Sequence, residues 1–219
     1  MNAPSPQPLK TWLSPERTAL LVIDVQTDFA SPEGKLGQWG LDFSAVPGAI
    51  AETNGLIDAA RTAGVPVIFV ALITSPETDS PAWKERMRRM GDEPDDSYGV
   101  CRAGTEGAAF HGVAPLPGEA IVEKTKYSGF YGTDLDARLK ALGVDTLVMC
   151  GLTTECCVDC TARDAFHLDY HVFLPTDACA AYGDDVHRAA LKSLVLNCVI
   201  PTRTNDVVSA WNGAKRAYG

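Results

Sequence analysis

Short apolar runs alternate with amphipathic helical patterns along most of this chain, and that alternation dictates what it can fold into. The runs fall at 19–25, 65–73, 120–123, 146–150, 171–174 and 198–200. They are apolar almost throughout rather than at every second position, as expected of strands covered on both faces. Between them, 47–63 reads as a helix closed by Gly64. Leu135, Leu139 and Leu142 mark one face of a second helix stopped by Gly143. Val158, Ala162, Ala165 and Phe166 share a face, as do Val186, Ala190 and Leu194, and a last helix covers about 205–214. Strands separated by helices imply a parallel sheet. The expected fold is α/β: a three-layer αβα, Rossmann-like arrangement around a central, mostly parallel six-stranded sheet. The 219 residues suit one core, so a flexible Pro-rich tail over 1–17 followed by a single domain over 18–219 is expected. The segment 74–118 is polar, rich in Pro, Gly and Asp, and legible only as a short surface helix at 81–90.

Composition excludes several classes of function. The formal charge is −9, which disfavours nucleic acid or an anionic membrane as partner. No apolar run is long enough to span a bilayer, and MNAPSPQPLK lacks the apolar segment of a signal peptide. Seven cysteines, an odd number lying mostly in or beside apolar runs, point to a reducing, cytoplasmic setting with thiols as small buried hydrophobes. Cys156, Cys157 and Cys160 lack the second ligand pair of a zinc site. Neither GxGxxG nor GxxxxGK[ST] is present. No metal or other cofactor is expected.

In parallel sheets, ligands bind beyond the carboxyl ends of the strands. That rule selects Asp24 after the first strand, Lys124 after the third, and the cysteines of GLTTECCVDCTARDA after the fourth. Cys156 and Cys157 fall in the first turn of a helix, where free N–H groups and the dipole favour a thiolate and lower its pKa. A carboxylate, an ammonium and a thiol at one sheet edge suit nucleophilic catalysis: a proton acceptor, a charge partner and a nucleophile. Spacing leaves open whether Cys156 or Cys157 attacks, and whether Lys124 or the nearby Lys126 serves. A buried structural thiol is the bland alternative for Cys157, and an oxidant-sensing role for Cys156, Cys157 and Cys160 is a rival of a different class.

Four pieces of the chain resemble one family: LLVIDVQTDF at 20–29, VEKTKYSGFYGTDL at 122–135, GLTTECCVDCTARDA at 151–165 and LPTDACAAY at 174–182. In this order they are similar to the isochorismatase-like cysteine hydrolases, which include nicotinamidases, N-carbamoylsarcosine amidases, ureidoacrylate amidohydrolases and biuret hydrolases. The resemblance implies Asp24, Lys124 and Cys157 as catalytic residues, with Cys156 and Lys126 in variable positions. It implies a cis peptide between Leu152 and Thr153, an oxyanion hole formed by the N–H groups of Thr153 and Cys157, and Phe29 as a pocket aromatic. Tyr131, Tyr182 and parts of 74–118 are expected beside Phe29 in the substrate pocket. Glu155 is expected to point outward or toward substrate. The Asp/His/His metal site of nicotinamidases has no counterpart, because ALITSPETDSPAWKE holds no histidine. That absence, with the TT after GL, is closer to the carbamoyl-amide and ureide branch. The implied activity is hydrolysis of a small linear amide or ureide through a thioester, by a homodimer or homotetramer. A thiol-independent hydrolase on the same fold is the rival.

Overall fold

The computed structural model describes residues 6–94 and 99–212. Seven parallel strands form one sheet: β1 (Thr18–Ile23), β2 (Val67–Leu72), β3 (Ala120–Lys124), β4 (Thr146–Leu152), β5 (His171–Pro175), β6 (Cys179–Ala180) and β7 (Ile200–Thr202). The order is β3-β2-β1-β4-β5-β7, with β6 paired to the end of β4. The expected three-layer sheet is therefore present with one strand more than the six foreseen. β6 is two residues long, too short to leave a periodic signal. β1 and β4 sit in the middle and are buried along their whole lengths, because helices cover both faces of the sheet.

Those faces hold two apolar clusters. On one, Leu20, Val22 and Phe69 pack with Leu56 and Ala60 of α3 (Val46–Ala63) and with Val207 and Trp211 of α8 (Thr204–Trp211). On the other, Leu21, Ile23, Val70 and Val122 pack with Leu139 of α5 (Leu135–Ala141), with Val158 just before α6 (Asp159–His167) and with Ala162 and Ala165 within it. Alternate residues of β1 serve opposite faces, as the two-residue period requires. The helix α7 (Asp184–Asn197) buries less than its pattern suggests. Leu194 is buried but Val186 is exposed, and Phe166 and Leu142 also lie outside the faces expected of them. Residues 81–90 do form a surface helix, α4 (Pro81–Met90), capped by the Ser80 side chain. Positions 213 and 214 of the expected last helix lie outside the described residues.

The flexible tail expected over 1–17 is corrected from residue 6 onward. Pro6–Trp12 is helix α1, and Leu9 and Leu13 are fully buried. The indole N–H of Trp211 donates to the carbonyl of Leu13 at 3.0 Å. Two prolines within 6–8 suggest a tail locally, but a first helical turn tolerates proline, and the apolar Leu9 and Leu13 decide the outcome. Leu13→Ala should cost about 2–5 kcal/mol of unfolding free energy in urea denaturation; a loose tail would show no change.

Candidate active site

The site is built where three strand ends come level. Ile23 of β1 stands beside Val70 of β2 and Gly151 of β4, and Leu72 stands beside Lys124 of β3. Asp24 follows Ile23 with φ of 49°, a left-handed conformation that aspartate tolerates better than most residues. Its N–H donates to Val70 at 2.9 Å. Lys124 is the last residue of an edge strand, two strands away from β1. Strands lie roughly 4.8 Å apart, so a side chain as long as lysine is needed to bridge the gap. Its Nζ donates to Asp24 Oδ2 at 2.6 Å, to the Lys126 carbonyl at 3.0 Å and to Cys157 Sγ at 3.5 Å. All three side chains are buried. The side chain of Lys126 stays out of this cluster; its backbone carbonyl is what Lys124 uses.

The β4 end needs its glycine. Gly151 has φ of 118°, and a Cβ there would lie 2.0 Å from the carbonyl oxygen of Ile23. The peptide Leu152–Thr153 is cis. A π-helical turn follows over Thr154–Val158 and runs into α6, with Cys157 buried and Cys156 half-buried. Glu155 points outward, its carboxylate accepting from Thr153 Oγ1 at 2.9 Å. Thr161, which the sequence did not single out, ties the assembly together. Its hydroxyl donates to the Cys157 carbonyl at 2.6 Å and accepts the Gly129 N–H at 3.0 Å, joining the SGF loop to the cysteine turn.

Electrostatics corrects one expectation. The helix start was expected to lower the thiol pKa, yet Cys157 is held well above its ordinary 9.0. Contact with the Cys156 thiol is the largest cause, followed by burial and the Asp24 charge; Lys124 opposes them. Burial also raises the Asp24 carboxyl above 3.8, against the pull of Lys124 and the thiol. Burial works against the Lys124 charge, but Asp24 and Cys157 outweigh it and keep the ammonium above its ordinary value. At rest the site therefore holds an ammonium and a protonated thiol. One carboxylate oxygen, Asp24 Oδ1, is buried without a hydrogen-bond partner.

A cleft of about 660 Å³ opens beside Lys126, whose carbonyl Lys124 uses; Asp24, Lys124 and Cys157 are not among the residues that line it. Phe29 lines it, with Trp83 and Arg86 from α4 and Lys126 and Tyr127 from the loop after β3. Tyr127 lies within electrostatic range of Cys156 and Cys157. Tyr182 does not line the cleft. Its hydroxyl donates to the Phe29 carbonyl at 2.7 Å and its ring packs on Phe43, so it supports Phe29 from behind. Tyr131, expected in the pocket, is 65% exposed and lines no part of the cleft. It lies in a solvated loop just before α5.

The irregular segment is pinned by two buried residues of the DVQTDF piece. The Gln26 amide donates to the carbonyls of Leu72 and Ala108 and accepts the Leu72 N–H, at 2.8–2.9 Å. Asp28, in the short helix α2 (Thr27–Ala30), accepts the N–H groups of Cys101 at 2.6 Å and Lys35 at 2.8 Å. A Cβ on Gly107 would fall 2.4 Å from the Asp28 carboxylate, so only glycine fits there. Among the described residues, no three His, Cys, Asp or Glu side chains gather as metal ligands would, and no helix is long and apolar enough to cross a membrane.

An isochorismatase domain profile matches residues 18–206. The chain belongs to the isochorismatase-like hydrolase family. Relatives within it include the ureidoacrylate amidohydrolase RutB of Methylobacterium radiotolerans, 36% identical over 86% of this chain and 76% of that protein. RutB of Azorhizobium caulinodans is 35% identical over 85% of this chain and 86% of that protein. Among solved structures, a cysteine hydrolase from Pseudomonas syringae pv. phaseolicola superposes with a TM-score of 0.79 at 30% identity, covering 92% of this chain and 95% of that one. N-carbamoylsarcosine amidase from Thermoplasma acidophilum superposes with a TM-score of 0.67 at 28% identity, covering 86% and 97%.

The raised thiol has a directional consequence. Below its elevated pKa, Cys157 stays protonated and alkylates slowly, and the rate climbs only above the ordinary thiol range. Site-resolved mass spectrometry after iodoacetamide should show that midpoint above 9.0, moving down in Cys156→Ala because the largest cause of the rise is gone.

Proposed function

We propose that this chain is a cysteine amidohydrolase that cleaves a C–N bond of a small linear amide or ureide and releases ammonia or an amine. The observation that carries the mechanism is the unpartnered Asp24 Oδ1 beside a lysine that bonds both the carboxylate and the sulfur. Asp24 takes the Cys157 proton as the sulfur attacks the carbonyl carbon. A carboxyl whose pKa burial has raised is a better acceptor than an ordinary one. Lys124 stays charged and stabilises the sulfur while it carries negative charge.

The carbonyl oxygen, now an oxyanion, is held by the N–H groups of Thr153 and Cys157 at the start of the helical turn, where N–H groups lack intrahelical partners. Asp24 returns the proton to the leaving nitrogen, the C–N bond breaks, and a thioester remains on Cys157. Water then adds to the thioester, giving a proton to Asp24. The C–S bond breaks, and the sulfur recovers that proton. One amide and one water become one acid and one amine or ammonia. Phe29 and the cleft beside it form the substrate pocket, and Tyr182 positions Phe29. The names of the RutB relatives support a ureide as substrate.

Ammonia release measured across biuret, ureidoacrylate, N-carbamoyl amino acids, maleamate and nicotinamide tests this function. Cys157→Ala should lower kcat by about a thousandfold or more, while Cys156→Ala retains most of it. A dead Cys156→Ala with an active Cys157→Ala would move the nucleophile by one residue. Full turnover in both would favour a thiol-independent hydrolase.

A further inference from the structure

His187 takes no part in the steps on Cys157, yet it grips the turn that carries that thiol. Topology brings it there. β6 pairs with the end of β4, Gly151 beside Cys179 and Leu152 beside Ala180. The chain then runs from β6 into α7, whose first turn packs against the segment that leaves β4. His187 sits in that first turn, its N–H on the Gly183 carbonyl at 3.0 Å. Its ring Nδ1 lies 2.8 Å from Thr154 Oγ1. Thr154 is the first residue of the π-helical turn that holds Cys157, and it is completely buried.

The buried hydroxyl decides the direction of this bond. A hydroxyl away from water needs an acceptor for its hydrogen. Among the described residues, the side-chain partner of Thr154 is His187. The hydroxyl therefore donates to Nδ1, and the ring carries its proton on Nε2. Burial supports this, holding His187 below 6.5 against the pull of Asp184 and Glu155, so that the neutral ring keeps a lone pair to give. The ring also borders a cavity of about 100 Å³ with Asp42, Ser44 and Asp184, where polar groups and water can take the Nε2 proton.

The turn needs side-chain anchors because its own ladder is irregular. The N–H groups of Cys156 and Val158 both end on the Thr153 carbonyl, at 3.1 and 3.2 Å. Such π-helical turns gather at functional sites and lack the regular bonding of an α-helix. Two threonine hydroxyls hold this one. Thr161 fastens its far end through the Cys157 carbonyl and the Gly129 N–H. Thr154 fastens its near end to α7. Thr153 and Cys157 stand on either side of Thr154 along the chain, and hydrogen bonds weaken steeply when their N–H groups are misdirected.

We propose that His187 is a positioning residue of the hydrolysis: its imidazole, holding the Thr154 hydroxyl, fixes the turn so that the Thr153 and Cys157 N–H groups converge on the oxyanion. This rests on the amidohydrolase function and adds to it a residue that touches neither substrate nor sulfur. The oxyanion exists only along the reaction path, so the contribution falls on kcat rather than on KM.

Hydrogen exchange read by mass spectrometry over peptides spanning 152–158 tests the anchor without turnover. His187→Phe keeps bulk and loses the acceptor. Thr154→Val keeps shape and loses the hydroxyl, and serves if the Phe variant fails to fold. Each should speed exchange in that stretch. His187→Asn should restore slow exchange, because its amide oxygen falls near the place of Nδ1. Kinetics then tests the consequence, on the amide that the wild type hydrolyses fastest. His187→Phe and Thr154→Val should each lose roughly 10- to 100-fold in kcat with KM close to the wild-type value. His187→Asn should recover most of that loss. The double variant should be no slower than the slower single one, since both changes remove the same bond. Unchanged exchange in both His187→Phe and Thr154→Val would overturn the proposal. So would wild-type kcat in them, a loss carried by KM, an Asn variant as slow as the Phe variant, or losses that multiply in the double variant. A wild type that hydrolyses no amide would instead sink the amidohydrolase function, while the exchange rates still judge the anchor.

Discussion

The ion pair between Lys124 and Asp24 is the constraint on which the rest of this site depends. Both side chains are fully removed from solvent, and their atoms are 2.6 Å apart. Burying two charges costs several kcal/mol each unless geometry and further hydrogen bonds repay it. Here the repayment is visible: the Lys126 carbonyl and the Cys157 sulfur take the other ammonium protons. The sheet supplies the geometry, since the register sets Leu72 beside Lys124 and Ile23 between Val70 and Gly151. Losing either partner leaves an uncompensated buried charge, at a cost of about 3–5 kcal/mol. Activity lost on replacing Lys124 must therefore be read together with stability.

The resting state of the thiol depends only in part on that pair. A cysteine at a helix start with a lysine beside it should ionise easily, but contact with the Cys156 thiol and burial push it toward the neutral form, and the Asp24 charge adds to them. The proposed nucleophile is thus activated only when its proton can pass to Asp24. A protonated buried thiol is a poor target for oxidants and alkylating agents, because both attack thiolates at accessible sulfur. The half-buried Cys156 is the more accessible of the two neighbours.

Much of the frame was legible from the sequence because it rests on local periodicity. The first five strands and α3 through Gly64 follow from apolar runs and stop signals, whereas the last strand, expected at 198–200, runs over Ile200–Thr202. What escaped was fixed by contacts between residues far apart in the chain. α1 reads as a Pro-rich tail until Leu9 and Leu13 are seen against Trp211. Residues 74–118 lack a pattern because Gln26 and Asp28, roughly 80 positions earlier than Ala108 and Cys101, hold their backbone. The cluster of Asp24, Lys124 and a cysteine was visible through the strand-end rule, and the family resemblance singled out Cys157. The thiol pKa was misjudged because the helix start was weighed alone, whereas the neighbouring Cys156 thiol, burial and the Asp24 charge all act against it. Of the two tyrosines expected beside Phe29, Tyr182 bonds the Phe29 backbone without lining the cleft, and Tyr131 lies exposed; which way a loop faces is set by tertiary contacts.

The central claim is that Cys157, held by the buried Asp24–Lys124 pair, carries the reaction. It is tested most directly by blocking thiols progressively and plotting residual ammonia release against the fraction of Cys157 left unmodified, read by mass spectrometry. Activity should fall in proportion to free Cys157 and be indifferent to the state of Cys156. Turnover that survives complete modification of Cys157 would contradict it.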